Sequence, residues 1–382
     1  MLKGLVDRGH SVHLLVPKES GVPKDFSYSG IFIHEFKMPS MPFVKNMLSK
    51  LARKPIYYFL FTFFSTKSVM KTAKVYGKPN VVYGLSSNAC AAAYIVSRLW
   101  RVPNITRLYG TLYPCLFNKS LLFARCFEEF IAFKLPCKYF IITDDGSRGD
   151  EAARIFKVPP EKVKFWKNGV DFFNDASIDV ERLRKDLQIP KESCVIVSIS
   201  RLASWKGIDR LIGAIPPIAL KNKHVKVLII GEGPERENLE KLGAALGLKK
   251  FVDFLGAIPH EDVRKFLYAS DIFVSLQDYS SLSSSLFEAM ACGVCVIALN
   301  SGATGSIIKN KRNGILVDYN DLQNLPSIIG RLISDGKLRR KLGDNAKQYA
   351  LKNFKTWEER VASEVELIEN LFIERRTNRE TQ

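Results

Sequence analysis

Short runs of β-branched and aromatic residues alternate with stretches of helical periodicity along most of the chain, and this rhythm constrains the fold more than any single motif. In the first half, Val12–Val16, Ile31–His34, Val81–Tyr83, Ile105–Tyr109 and Tyr139–Thr143 read as strands, with helices predicted over Phe43–Tyr76 and Ala89–Trp100. In the second half, strands are expected at Cys194–Ser200, Val225–Ile230, Val252–Leu255, Ile272–Ser275, Cys295–Ala298 and Ile315–Val317. Helices are expected between and after them at Gly207–Leu220, Glu235–Leu246, His260–Ala269, Ser284–Ala291, Asp321–Ser334 and Gly336–Tyr349. Such alternation implies parallel sheets covered by helices on both faces. A chain of 382 residues exceeds one ordinary core, so two doubly wound α/β domains in tandem are expected, joined near Asn168–Ser177. The last predicted helix, about Thr356–Glu374, has no strand after it.

Charge divides the chain unevenly. Residues 1–170 carry 26 Lys and Arg against 11 Asp and Glu, whereas residues 171–382 carry 31 against 28. Between Glu35 and Glu128 there is no acidic residue, while 14 basic ones occur. An excess of this kind on one domain points to an anionic partner, with a solvated basic face as the bland alternative. Within the window, Met41–Lys54 interleaves lysine and arginine with apolar residues, and an aromatic run from Pro55 to Phe64 follows. That run is too short to cross a bilayer, which takes about 20 apolar residues, but a basic aromatic helix can lie in the membrane interface. A buried core helix is the competing reading. No secretory leader is expected, because Met1-Leu2-Lys3-Gly4 has no apolar run behind it.

The seven cysteines are scattered and odd in number, which argues for a reducing compartment and against a disulfide framework. Cys292-Gly293-Val294-Cys295 has the C-x-x-C form, but it has no second pair or nearby histidine, so both are expected as core thiols. The five histidines show no metal-ligand spacing and point to no site.

Four features follow predicted strands of the second half, where open parallel sheets bind ligands. The first, Ser200 to Gly207, places Arg201 and Lys206 on one strand-to-helix loop, within reach of a single diphosphate. The second is Gly231-Glu232-Gly233-Pro234, where Gly231 and Gly233 allow close backbone approach; simple turn punctuation would look the same. Its spacing is not that of a dinucleotide-binding fingerprint. The third, Gly256-Ala257-Ile258 after Phe254-Leu255, could present backbone groups to a base. The fourth runs from Gln277 through Asp278, Ser280, Ser283, Ser284, Ser285 and Leu286 to Glu288. Serines before a helix cap it and its first amides attract anions. Glu288 falls where the ribose beside such an anion could reach it, although a carboxylate in the first turns also complements the helix dipole.

Taken in order, R-L-x(3)-K-G, G-x-G-P, F-L-G and S-L-x-E-A-M-A-C-G resemble the family-4 (group 1) retaining glycosyltransferases of GT-B fold, and Asn168-Gly169-Val170-Asp171 resembles their domain junction. The resemblance implies two Rossmann-like domains facing a cleft. An acceptor-binding domain would span 1–169 and a nucleotide-sugar-binding domain 170–355, with 356–382 a helix packing back toward the first. It implies that Arg201 and Lys206 neutralise the donor diphosphate and that Glu288 binds the ribose, with the Gly256–Ile258 backbone facing the base. The Ser283–Leu286 amides would add to the phosphate site. The donor is expected to be a UDP- or GDP-sugar, no metal or other cofactor is required, and transfer retains anomeric configuration. Expected partners are a lipid-linked or saccharide acceptor and an anionic membrane surface reached from the cytoplasm, not nucleic acid. A catalytically impaired relic acting as a binding protein and a nucleotide-sugar 2-epimerase are the alternatives.

Three departures from the family pattern are visible. Where the family places a sugar-contacting glutamate, this chain has Ser280, with Asp278 as a candidate substitute. Where the family has an acceptor-side histidine, this chain has Tyr109-Gly110-Thr111, and tyrosine is a poor base near neutral pH. By comparison with the family, roughly 20–25 residues carrying a strand and a glycine-rich loop are absent before Leu2, which predicts a first domain with two exposed strand edges and a weakened fold.

Overall fold

The structure, a computed structural model, describes residues 1–20, 29–39, 47–111, 126–172, 178–279 and 281–380. It divides into two compact units. The first comprises Met1–Asp144, Arg148–Lys167 and Glu358–Gln382; the second comprises Asp145–Ser147 and Asn168–Trp357.

The first unit runs α1 (Leu2–Asp7), β1 (Val12–Pro17), β2 (Ile31–Phe36), α2 (Met47–Tyr76), β3 (Val82–Leu85), α3 (Cys90–Trp100), β4 (Asn104–Leu108), α4 (Phe127–Lys134), β5 (Tyr139–Thr143), α5 (Gly149–Ile155) and β6 (Val163–Trp166). All its strand pairs are parallel, as the alternating pattern required. They form two sheets, however: β1 pairs with β2, and β3-β4-β5-β6 make a separate four-stranded sheet. Side chains alternate across this second sheet. Phe140 and Ile142 pack with Phe133, Ala152 and Ala153 on one face, while Ile141 packs on the other with Ile105, Ile368 and Leu371.

The second unit runs α6 (Val180–Asp186), β7 (Cys194–Ile199), α7 (Ile208–Lys221), β8 (Val225–Ile230), α8 (Arg236–Ala245), β9 (Val252–Gly256), α9 (His260–Tyr268), β10 (Ile272–Ser275), α10 (Ser284–Cys292), β11 (Cys295–Leu299), α11 (Thr304–Ile307), β12 (Ile315–Val317), α12 (Leu325–Ser334) and α13 (Gly336–Asn353). The final helix, α14 (Trp357–Glu380), leaves it, and its residues from Glu358 onward group with the first unit. One parallel sheet of order β12-β11-β10-β7-β8-β9 forms the centre. Ile196, Val227, Ile229, Val274 and Ile297 face one core with α7 and α12; Val195, Val197, Leu228, Phe273 and Val296 face a second core with α9 and α10. Burial on both faces explains why these strands read as uninterrupted apolar runs.

Helix α7 contains Pro216 and Pro217, which remove backbone donors in its interior. It persists because Ile208, Leu211, Ile212, Ile215 and Ile218 bury one continuous stripe. Packing here overrides local propensity. The strand order places the loops after β11, β10, β7, β8 and β9 side by side, because parallel neighbours end on the same edge.

Candidate functional site

The loops after β7, β8, β9 and β10 are tied to one another by backbone bonds. The Leu202 amide donates to the Glu232 carbonyl at 2.9 Å and the Glu235 amide to the Leu202 carbonyl at 3.0 Å. The Gly231 amide donates to the Gly256 carbonyl at 2.8 Å, and the Asp278 amide to the Trp205 carbonyl at 2.9 Å. This contact gives Gly231 and Gly233 a structural duty. A Cβ on Gly231 would lie 1.9 Å from the Ser200 carbonyl oxygen, and one on Gly233 would lie 2.2 Å from that of Leu202. Both glycines let the β8 loop lie directly on the β7 loop.

Arg201 and Lys206 sit in different environments on that β7 loop. Arg201 is exposed and has no ion-pair partner among the described residues. Lys206 is half-buried: its Nζ donates to Gln277 Oε1 at 2.6 Å and lies 4.0 Å from the centre of the Trp205 ring. Burial pushes the Lys206 ammonium down to about 8, with Asp145 opposing the shift. An ammonium held in this way is partly dehydrated and aimed, which favours an incoming anion over bulk water. Trp205 in turn stacks on Tyr279 at 4.6 Å with an interplanar angle of 16°. Sequence reasoning passed over this aromatic pair, because 74 positions separate its members.

The N-terminus of α10 meets the same loops. Ser283 caps it, its Oγ accepting from the Leu286 amide at 3.3 Å, and Ser285 Oγ donates to the Ile199 carbonyl at 2.9 Å at the end of β7. Ser283 Oγ and Ser285 Oγ are 3.1 Å apart. Leu286 is fully buried in the second core, so it anchors the helix, while Ser284 is half-buried. Ser281 is also buried, and its Oγ accepts from the Ala303 amide at 3.2 Å. Ser280 lies outside the described residues.

Glu288, one turn further along α10, has a partner that the spacing of the histidines concealed. His260 Nε2 lies 2.9 Å from Glu288 Oε1. The Glu288 side chain is 17% exposed and that of His260 75%. Burial raises the Glu288 carboxyl and the His260 hydrogen bond lowers it, with Asp171 raising it further. The spacing of the histidines along the chain gave no sign of this contact between His260 and Glu288. Gly256 takes a left-handed φ of 75°, which turns the chain so that Ile258 packs on the second core and Ala257 stays exposed.

Asp278 belongs to a different group. Its Oδ1 is 2.7 Å from Arg210 Nη2 and accepts from the Tyr319 hydroxyl at 2.8 Å. Its carboxylate is thus engaged by side chains of the second unit itself. In the first unit, Tyr109 is 61% exposed beneath the Arg107 guanidinium at 4.8 Å, Gly110 has a φ of 130°, and Thr111 is buried and donates to Glu129. Arg107 is itself held by Glu364 of α14 at 3.9 Å, and Glu364 also accepts from Tyr83. Cys194 and Cys295 are buried thiols that burial pushes up to about 12, so neither is poised for chemistry. Among the described residues, no group of three or more His, Cys, Asp or Glu is arranged to hold a metal ion.

Comparison with known proteins bears on the fold and on the sequence pattern of the second unit. Residues 179–349 match the family model described as glycosyl transferases group 1. A glycosyltransferase of uncharacterised function from Methanocaldococcus jannaschii is 31% identical over 212 residues, covering 54% of this chain and 54% of that protein. The alignment thus spans about half the length of that relative. The N-acetyl-alpha-D-glucosaminyl L-malate synthase of Bacillus anthracis is 24% identical over 375 residues, 96% of this chain and 90% of that one. Among solved structures, Anabaena HepE in complex with UDP and glucose is similar, with a TM-score of 0.68, 22% identity, and coverage of 88% of this chain and 86% of that one. The chain therefore has the GT-B fold of two Rossmann-like parallel-sheet domains, and its second unit carries the sequence pattern of group 1 glycosyltransferases.

Proposed function

We propose that this protein is a retaining glycosyltransferase that moves a sugar from a nucleoside-diphosphate sugar to a lipid-linked or saccharide acceptor at a membrane surface. One observation carries the reading: an exposed Arg201, a partly dehydrated Lys206 and the serine-capped start of α10 converge on a single strand-end edge. Two cations and a helix N-terminus suit a diphosphate, and the leaving group of this reaction is one. As the glycosidic bond breaks, negative charge grows on the diphosphate, and fixed cations stabilise that state more than the ground state. Glu288 accepts from the ribose hydroxyls, and the Gly256–Ile258 backbone faces the base. The chemistry calls for no metal in this reading, and the Bacillus and Anabaena proteins, which act on or bind sugar derivatives by their names, support the substrate class.

The first unit supplies the acceptor side through Tyr109, Gly110 and Thr111, and docks peripherally on the cytoplasmic face of an anionic membrane. No helix among the described residues is long and apolar enough to cross a membrane. Helix α2 instead exposes Ile56, Phe59 and Phe63 along one face, continued by Lys67, Met70, Lys71 and Lys74 at the same helical spacing. An aromatic ridge bordered by lysines, with no acid between Glu35 and Glu128, fits an anionic lipid surface. The test is release of nucleoside diphosphate from a panel of UDP- and GDP-sugars, with flotation on vesicles beside it. Turnover that persists in both Arg201→Ala and Lys206→Ala would remove the proposed donor site.

A further inference from the structure

We propose that His260 is a positioning residue for Glu288, holding one carboxylate oxygen so that the other meets the ribose hydroxyls of a bound nucleotide. This rests on the donor-site reading above and adds a residue to it. Glu288 projects from α10 and is largely enclosed, whereas His260 opens α9 directly after the Gly256–Pro259 turn and is mostly exposed. The two elements pack against each other through Val263, Leu267 and Leu286 in the second core. Their geometry is therefore set by buried contacts, while the imidazole itself remains at the surface.

The imidazole Nε2–H donates to Glu288 Oε1 at 2.9 Å. A carboxylate accepts at both oxygens, so this bond leaves Oε2 available. It also fixes the carboxylate plane, which a lone glutamate on a helix would sample in several rotamers. The charged groups acting on Glu288 are His260 from α9 and Asp171 from the segment entering the second unit. Burial and Asp171 disfavour the ionised carboxylate, and the His260 hydrogen bond opposes them.

The experiment measures binding of UDP and GDP, and of their 2′,3′-dideoxy forms, to the full chain and to His260→Ala, His260→Gln and Glu288→Ala. For the nucleotide that binds, His260→Ala is expected to weaken the ribose form about tenfold, the loss of one charge-assisted hydrogen bond's positioning. The dideoxy form should lose less than about twofold, since it lacks the hydroxyls that Glu288 serves. His260→Gln, which keeps an N–H donor at similar reach, should restore the ribose form to within about threefold. Equal weakening of ribose and dideoxy forms, or no weakening of either, overturns the proposal. If Glu288→Ala weakens the ribose form while His260→Ala does not, only this inference falls; if wild type binds neither nucleotide, or Glu288→Ala is without effect, the donor-site reading falls with it. Thermal melts of the three variants serve as the control for folding, and the two His260 variants are expected to melt with the wild type because that side chain is 75% exposed.

Discussion

The two units use the same strand–helix alphabet and reach different levels of organisation. The second builds one six-stranded sheet with a closed core on each face. The first distributes its six strands over sheets of two and four, and its cores are smaller clusters, one of them shared with the helix α14. The contrast shows where chemistry can be held firmly. Strand-end loops bound to their neighbours across one continuous sheet hold Lys206, helix α10 beside them holds Glu288, and the proposed donor site lies there. The first unit offers a broad surface of charge and exposed aromatics, which suits a large and variable partner.

This contrast can be broken first by stability. Phe287 is fully buried under the second sheet, so Phe287→Ala should cost about 3–5 kcal/mol and move only the upper of two calorimetric transitions. Phe133→Ala, in the first unit, should move only the lower one. One merged transition responding to both would show the units to be a single cooperative body. Close behind in size, Arg201→Ala or Lys206→Ala should each cost about 3 kcal/mol of transition-state stabilisation, read as a roughly hundredfold or greater fall in kcat/KM for nucleotide release.

Membrane docking should respond next. Phe59→Ala and Phe63→Ala should each remove up to about 2 kcal/mol of lipid affinity in flotation with phosphatidylglycerol vesicles, while nucleotide binding stays unchanged. Loss of nucleotide binding in those variants would join the two surfaces in one function. The Lys206 ammonium, with its pKa pushed down to about 8, is charged below that pH and loses its proton as pH rises through it. Diphosphate affinity should therefore be level from pH 7 toward 8 and fall by up to about tenfold per unit above it, with Lys206→Arg flattening the profile. The smallest effect belongs to Asp278. Because Arg210 and Tyr319 engage it, Asp278→Asn should change turnover by less than about threefold and stability by about 1 kcal/mol. A loss as large as that of Lys206→Ala would make it a direct sugar contact.

Much of this was legible before the structure. Val225–Ile230, Ile272–Ser275 and Ile315–Val317 are strands with the expected boundaries, and the remaining strands of the second unit differ by one residue. Central parallel strands must be apolar on both faces, which leaves a mark that local reading can find. Strand β6 was missed because Val163–Trp166 is half-buried throughout and alternates apolar with charged or aromatic residues at a sheet edge. Helices α4 and α5, of eight and seven residues, are too short for their periodicity to stand out. The division of the first unit into sheets of two and four agrees with the expectation of two exposed strand edges in that domain, while which strand borders each edge is not written in any one strand.

By itself, then, the sequence determined the parallel α/β class, the edge on which the loops gather, and the residue types available there for a diphosphate. Those follow from short-range pattern and from the rule that parallel strands end together. Only the tertiary structure decided which side chains meet: His260 with Glu288, Trp205 with Tyr279, Arg210 with Asp278 and Tyr319. Each of these contacts joins residues from different strand-end loops or helices. Their distance in space is set by how the helices dock on the sheet, and that depends on the packing of whole cores.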